Sequence, residues 1–228
     1  MIKNSYSSTG SVGVPSPTIP KGTLINNLTN FIENTLVTFQ INFVRNVNDA
    51  EEAISEELTK YLTHYSKNEV FLFIKETMQR PSNGRIKRVD IGVFILPSDK
   101  EAIFTIEAKR LPTPTTRRER EYVSGTDSLK PSGGIERFKR SLHGIGIDHS
   151  AIVGYVQDYD FNHWERNINQ WIDDLIQNNT DKEITWTTGD KLINKVDIFK
   201  DKVCKFTSKS SRHQTRDILL RHYFIDLK

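Results

Sequence analysis

The sequence predicts an α/β domain in which a mixed central sheet is flanked by helices. Two stretches with helical spacing of apolar residues come first, from Leu24 to Phe39 and from Glu51 to Tyr65. Three β-rich runs follow, and a further helical segment then leads into a fourth apolar run. An antiparallel meander that a helical crossover extends by one more strand accounts for this order.

Each predicted element has its own signal in the sequence. Asn48 or Asp49 is expected to cap the second helix, and the turn at 97–100 separates the second and third strands. Gly133-Gly134 is expected to open the crossover helix, whose apolar side extends to Leu142. The remaining elements are strands at 70–75, 87–96, 102–109 and 151–156, a helix at 164–175, and strands near 203–206 and 219–224.

The chain of 228 residues, 36% of them hydrophobic, suits one domain with one good core. Residues 1–22 are rich in Ser, Thr, Gly and Pro, which predicts a flexible tail. We expect a single domain over 23–228, with its core at about 48–156 and a helix and strands over 160–228.

The composition also restricts where the protein works. No stretch approaches the roughly 18 consecutive apolar residues of a membrane span, so we expect no membrane association. The single cysteine, Cys204, excludes an intramolecular disulfide and suits a reducing cytoplasm. A formal net charge of +3 is too small by itself to indicate a nucleic-acid partner.

Two of the predicted strands carry the residues that indicate chemistry. Asp90 interrupts an otherwise apolar strand, and Glu107 and Lys109 are two residues apart on the next one. Strand geometry therefore points Glu107 and Lys109 to the same face. Carboxylate oxygens hold Mg2+ beside a phosphate, and a lysine can stabilise a developing oxyanion. A simple salt bridge on a sheet face is the alternative interpretation.

Asp90, sixteen further residues and then Glu107-Ala108-Lys109 resemble the D-x(n)-(D/E)-x-K signature of the PD-(D/E)XK nuclease superfamily. Val89 stands where that signature has proline. The run from Ile106 to Pro114, and those at 133–138 and 154–156, are also similar to bacterial members whose fold is better established than their activity.

The resemblance implies a restriction-endonuclease-like αβββαβ core and a Mg2+-dependent nuclease in which Mn2+ can substitute. It makes Asp90 and Glu107 metal ligands and Lys109 a catalytic residue. It also implies a nucleic-acid substrate, DNA before RNA, and is compatible with a homodimer or a complex with host-defence or DNA-repair proteins.

Such nucleases often take one more acid from the first core helix, and Glu51 is our candidate as a further metal ligand. The apolar stripe of this helix consists of Ile54, Leu58, Tyr61 and Tyr65. Glu51 lies within that stripe, whereas Glu52 and Glu56 project away from it. Burying a carboxylate costs free energy unless the charge is compensated, and a metal site is one way to compensate it. A favourable interaction with the helix dipole is the alternative for Glu51, and Glu57 is the second candidate.

Basic residues downstream of the third strand predict contacts with phosphates. A solvated surface is the alternative, and 208–216 forms a second polar and basic stretch. The predicted nucleic-acid contacts are Arg110, Arg117, Arg118, Arg120, Arg137 and Lys139.

The leading hypothesis is a nuclease that hydrolyses phosphodiester bonds. The second is a nuclease-fold module that binds nucleic acid and is active only within a complex, or inactive. A metal-dependent enzyme acting on another phosphate ester, or an unrelated fold, is the third. The histidines show no zinc-binding spacing, and the chain has no P-loop signature.

Overall fold

The computed structural model describes residues 21–44, 50–80, 86–96, 101–126, 131–178, 180–212 and 215–228, without the side chains of Lys21, Thr116 and Arg117. Four α-helices and seven strands form the described part of the chain. The helices are α1 Lys21–Asn42, α2 Glu51–Tyr65, α3 Gly134–Lys139 and α4 Phe161–Asn178. The strands are β1 Phe71–Gln79, β2 Lys87–Ile95, β3 Phe104–Leu111, β4 His149–Val156, β5 Ile193–Phe199, β6 Val203–Arg212 and β7 Thr215–Asp226.

The seven strands form one mixed sheet in the order β1-β2-β3-β4-β7-β6-β5. β1, β2 and β3 form the antiparallel meander that the sequence predicts, and β4 lies parallel to β3. β7 is parallel to β4, and β6 and β5 then continue the sheet in antiparallel fashion. The parallel step from β3 to β4 spans a crossover that contains α3, as the order of elements predicts.

Helices cover both faces of this sheet. α1 and α2 pack on one face through residues such as Leu28, Ile32 and Leu58, which have no exposed surface. α4 packs on the other face through Ile168 and Ile172, together with the segment that leads into α3. Full burial of one such side chain contributes about 1.5–3 kcal/mol to folding, so the two layers fix the sheet between them.

The predicted α/β class, with a mixed sheet flanked by helices, is confirmed. α3 is shorter than expected, because the helix ends at Lys139 and Leu142 lies beyond it. α1 begins at Lys21, so the last two residues of the predicted tail belong to a helix. The remainder of that tail, Asn48 and Asp49 themselves and the predicted turn at 97–100 lie outside the described residues. The N-cap of α2 is Ala50, which makes no side-chain cap hydrogen bond, so the prediction that Asn48 or Asp49 caps this helix is wrong.

β5 is the strand that the sequence does not predict. Its first five residues are all exposed. Because they have no buried face, nothing requires the alternation of apolar and polar residues that marks a half-buried strand. It lies at the edge of the sheet and pairs with β6 irregularly. Among the described helices, none combines the length and the apolar character needed to cross a membrane.

Candidate active site

The site forms where β2 and β3 separate. The two strands pair from Val93 opposite Phe104 to Ile91 opposite Ile106. Beyond that point, the Ala108 N–H donates to Asp90 Oδ2 at 2.6 Å instead of to a β2 carbonyl. The separation of the strands leaves backbone donors of β3 for side-chain acceptors.

A second carboxylate fills the next position along the same opening. The Arg110 N–H donates to Glu51 Oε2 at 2.9 Å, and Glu51 lies in the first turn of α2. Amides two residues apart in a strand point to the same side, so Asp90 and Glu51 follow one another along one edge of β3. The helix acid predicted from the apolar stripe therefore does reach this region.

Glu107 and Lys109 lie on the sheet face that carries α3. Lys109 Nζ donates to Glu107 Oε1 at 2.8 Å and to the Ala108 carbonyl at 2.9 Å. It also lies 3.6 Å from Glu51 Oε1. Parallel pairing with β4 on the other side fixes the backbone at both positions, opposite Ile152 and Gly154. The four predicted residues therefore lie together at the opening.

Two further side chains hold the Glu107 carboxylate. Arg137 of α3 donates from a terminal nitrogen to Oε1 at 2.7 Å. His143, which follows α3, places Nδ1 3.0 Å from Oε2. This short contact is an ion pair when the imidazole is protonated, and Glu107 Oε2 has no other hydrogen-bonded partner among the described residues. A buried, unsatisfied oxygen of this kind is often completed by a water molecule or an ion.

The electrostatics of the cluster set the ionisation of its members. Burial opposes the charge on Glu107, but Lys109, His143 and Arg137 together hold the pKa of that carboxyl well below its usual range. Burial likewise opposes the charge on Lys109, yet Glu107, Glu51 and Asp90 raise the pKa of its ammonium above the ordinary value. Glu107 and Lys109 are therefore a charged pair in a largely dry environment.

Asp90 behaves in the opposite way. Burial, reinforced by the negative charge of Glu107, raises the pKa of Asp90 to about 7, and the charge of Lys109 only partly offsets this. Like-charge repulsion between neighbouring carboxylates is a common feature of sites that bind a cation.

The other glutamates of α2 lie outside this cluster. Glu56 is exposed and pairs with Lys75 and Lys60. Glu57, the second candidate for the helix acid, pairs with Lys60 at 2.6 Å. Only Glu51, of the acids in α2, contacts β3 in the described part of the chain.

The arginines predicted to contact nucleic acid differ in their exposure and in their partners. Arg118 pairs with Glu121 at 2.8 Å and Arg120 with Asp174 at 2.9 Å, and each side chain remains more than half exposed. Arg110 is half-buried, and its backbone is tied to Glu51. Arg137 contacts Glu107, whereas the side chain of Arg117 lies outside the described part of the molecule.

Lys139 has to be removed from the predicted interface. Its side chain is fully buried, and Nζ donates to Asp190 Oδ1 at 2.8 Å and to Oδ2 at 3.0 Å. The same ammonium lies 5.1 Å from the centre of the Trp186 ring. The residue follows basic neighbours in the sequence, but its position in α3 turns it inward, so it has no surface that could contact a phosphate.

The second basic stretch borders a separate surface cavity of about 570 Å³, which is lined by Gly146, Asp148, Arg212, Thr215 and Arg216. Arg212 is almost fully buried and donates to the Gly144 carbonyl at 2.8 Å. Arg216 is 83% exposed and lies 3.6 Å from Asp148. Arg212 therefore supports the loop structurally, and Arg216 is the residue of this pair that faces solvent.

His143 is the residue of the site that the sequence does not predict. It has no partner at metal-ligand spacing in the sequence, and a lone histidine is most often a core or surface residue. Its contact with Glu107 arises only because α3 and the turn after it pack over β3. That relationship is tertiary, so no local pattern could have shown it.

The donors suit a hard cation, but their arrangement does not yet form a metal centre. Across the described ranges, no group of three or more His, Cys, Asp or Glu side chains is placed to hold an ion. Carboxylate oxygens are the ligands that Mg2+ prefers, and Asp90, Glu107 and Glu51 supply them. The ammonium of Lys109 and the guanidinium of Arg137 occupy Glu107 Oε1 instead.

Comparison with known proteins identifies no relative of this chain. No protein-family model matches the chain. Neither a curated protein nor a solved structure gives a match.

Proposed function

We propose that this protein is a metal-dependent nuclease that hydrolyses phosphodiester bonds, with DNA as the expected substrate. One observation carries the proposal: Asp90, Glu107 and Glu51 come from β2, β3 and α2 and converge on the ammonium of Lys109 or on the β3 backbone beside it. The helix α2 and the two strands of a hairpin thus supply acids to one opening in the sheet. A salt bridge alone needs only Glu107 and Lys109.

The order of the elements supports the same proposal. A helix, an antiparallel three-stranded meander, a helix and a parallel fourth strand follow one another over 51–156. We assign this arrangement to a restriction-endonuclease-like core, in keeping with the resemblance of the Asp90 and Glu107-Ala108-Lys109 signature. The three strands β5, β6 and β7 then extend the sheet beyond that core.

In this proposal Asp90 and Glu107 supply the ligands for Mg2+, or for Mn2+ in its place, and Glu51 completes the set. A bound ion would act as a Lewis acid, stabilising negative charge on the scissile phosphate and acidifying water. Lys109 has a raised pKa and stays protonated at neutral pH. It therefore acts as a hydrogen-bond donor that stabilises developing charge, and not as a general base.

A second function is favoured by the contacts of Glu107. Its Oε1 already accepts hydrogen bonds from both Lys109 and Arg137. A protein in which those two cations permanently take the place of a metal would bind nucleic acid without cutting it. This is the nuclease-fold binding module, active only within a complex or inactive.

A cleavage assay separates the two functions. Labelled duplex DNA, single-stranded DNA and RNA are incubated with the protein and Mg2+, Mn2+ or EDTA. The nuclease proposal requires cleavage that EDTA abolishes and that Asp90→Asn and Glu107→Gln each reduce by orders of magnitude. Binding in a mobility-shift assay without cleavage under any of these conditions would instead establish the binding module.

The helix acid has a matched control in its neighbour. Glu51→Gln removes a carboxylate that contacts β3, whereas Glu52→Gln removes an exposed one from the same turn of α2. The proposal expects the first change to weaken cleavage and the second to leave it unchanged. Equal effects of the two changes would show that Glu51 acts only through the charge of the helix terminus.

A further inference from the structure

The Glu107 carboxylate has one partner that differs from the others in its exposure. The side chains of Lys109 and His143 are 9% and 1% exposed, whereas that of Arg137 is 27% exposed. Lys109 is also held by the Ala108 carbonyl and lies near Glu51. For Arg137, the pair with Glu107 is its one side-chain ion pair within the described ranges.

Arg137 is therefore the partner of Glu107 that can leave the carboxylate for another acceptor at low cost in free energy. A guanidinium at the boundary with solvent can turn outward without leaving a buried charge of its own. Lys109 and His143 would have to leave the interior to do the same, and they remain to compensate the charge of Glu107.

We propose that the Arg137–Glu107 ion pair keeps the metal site closed and that a phosphate group of the substrate opens it by taking over the guanidinium. This inference rests on the proposed function and adds its regulation. Arg137 neutralises the Glu107 carboxylate through its bond to Oε1, so its guanidinium and a divalent ion compete for the same carboxylate. Phosphate is a strong competing acceptor, because its oxygens match the two parallel donors of a guanidinium.

The consequence is a coupling between two ligands. Phosphate binding at Arg137 frees Glu107 for the ion, and ion binding frees Arg137 for phosphate, so each raises the affinity for the other by the same factor. The site would take up its ion together with a nucleic-acid backbone and not before it.

Calorimetric titration with Mn2+ tests the proposal on the intact chain. The probe for the phosphate is thymidine 3′,5′-bisphosphate, which carries two phosphates and no phosphodiester bond to cut. For the wild-type protein, saturating probe should raise the Mn2+ affinity by roughly tenfold, within the range of about 5- to 150-fold that is typical of coupled sites. Arg137→Gln should bind Mn2+ more tightly than wild type without the probe and gain little from adding it.

A matched control removes the effect of net charge. Arg166 is an exposed arginine of α4, with a hydrogen bond to the Asn162 carbonyl at 3.2 Å. Arg166→Gln changes the charge by the same amount and should leave the wild-type coupling intact. Arg137→Lys keeps the charge and should retain most of the closed state, and circular dichroism verifies that each variant is folded.

The outcomes separate the inference from the function beneath it. If wild type binds Mn2+ in an Asp90-dependent manner and Arg137→Gln binds it equally or more weakly, the closed state is wrong and the metal site stands. If neither protein binds Mn2+ with or without the probe, both proposals fail. Tighter binding by Arg137→Gln together with loss of the coupling supports the inference.

Discussion

Asp90 Oδ2 accepts a hydrogen bond from the Ala108 backbone N–H at 2.6 Å, where a regular antiparallel pair would place a backbone carbonyl of β2. The side chain thus takes over a position in the ladder at the point where the strands part. A backbone donor buried without an acceptor would cost free energy. The Asp90 carboxylate therefore supplies the acceptor that the Ala108 N–H lacks where the two strands separate. The arrangement brings an acid from β2 beside Glu107 of β3.

The raised pKa of Asp90 leads to a prediction about stability and pH. The native carboxyl holds its proton up to a pKa of about 7, whereas the unperturbed value is 3.8. Between these values the folded protein binds more protons than the unfolded one, so the free energy of unfolding falls as pH rises from about 4 to about 7. Asp90→Asn cannot ionise and should escape this fall while keeping an acceptor for Ala108.

Urea denaturation in EDTA at pH 4.5, 6 and 8 measures the effect. The gain in stability of Asp90→Asn over wild type should be smallest at pH 4.5 and largest at pH 8. Its upper limit is about 4 kcal/mol, since one pKa unit corresponds to about 1.4 kcal/mol. A difference that stays constant over this range would show that Asp90 is already ionised in the folded protein.

Lys109→Met tests the transition-state role of the ammonium. Methionine keeps an unbranched side chain and removes the charge, so packing around β3 should change little. Loss of one donor to a developing oxyanion typically costs 10²- to 10³-fold in turnover, and we expect that fall in kcat with little change in nucleic-acid affinity. Steady-state cleavage kinetics and a binding titration measure the two quantities.

The exposed Lys182 provides the control for that experiment. Lys182→Met removes the same charge at the surface, and the cleavage rate should stay at the wild-type level. Thermal denaturation shows whether Lys109→Met is folded at the assay temperature. Cleavage by folded Lys109→Met at the wild-type rate would assign Lys109 to a structural salt bridge with Glu107.

The sequence singles out the residues that lie at the opening where their signal is local. Asp90 stands out because it interrupts an apolar strand, and Glu107 and Lys109 because their spacing places them on one face. Glu51 stands out for the same kind of reason, as an acid within an apolar helix stripe. Each of these signals depends on the periodicity of a single element.

The parts that the sequence did not show depend on packing between elements. His143 and Arg137 meet Glu107 only because α3 lies over β3. Lys139 looked like its basic neighbours, yet its partner Asp190 is 51 residues away and no pattern links the two. β5 has no signal in the sequence, because an exposed edge strand has no buried face to impose alternation.

The buried pair of Lys139 and Asp190 predicts a structural role in place of the nucleic-acid contact. Lys139→Met leaves the Asp190 carboxylate buried without its cation, which typically costs about 3–5 kcal/mol. We expect a loss of that size in the free energy of unfolding and an unchanged nucleic-acid affinity of the folded protein. Chemical denaturation and a binding titration below the unfolding midpoint measure the two effects.

A double variant checks that the loss comes from the unpaired charge. Adding Asp190→Asn to Lys139→Met should cost less than the sum of the single changes, because the second substitution removes the charge that the first one strands. Some loss should remain, since Asp190 Oδ2 also accepts a hydrogen bond from the Thr187 N–H at 2.8 Å. Strict additivity, or a fall in nucleic-acid affinity of folded Lys139→Met, would contradict this assignment.

The arginines that precede α3 give the last prediction, which concerns how the substrate is held. Arg118 and Arg120 remain 58% and 54% exposed despite their pairs with Glu121 and Asp174. Exposed ion pairs contribute little to stability, typically below about 1 kcal/mol, so both side chains can be removed or redirected at small cost. Replacing Arg117, Arg118 and Arg120 together by alanine should weaken nucleic-acid binding for every sequence tested.

Each phosphate contact that the triple variant loses releases about one counterion fewer on binding. The slope of log affinity against log salt should therefore become shallower by roughly one unit per contact. Fluorescence anisotropy with a labelled duplex at several salt concentrations measures that slope, with circular dichroism to verify the fold. A triple variant with wild-type affinity and slope would mean that the substrate approaches from another side, such as the surface cavity that exposed Arg216 borders.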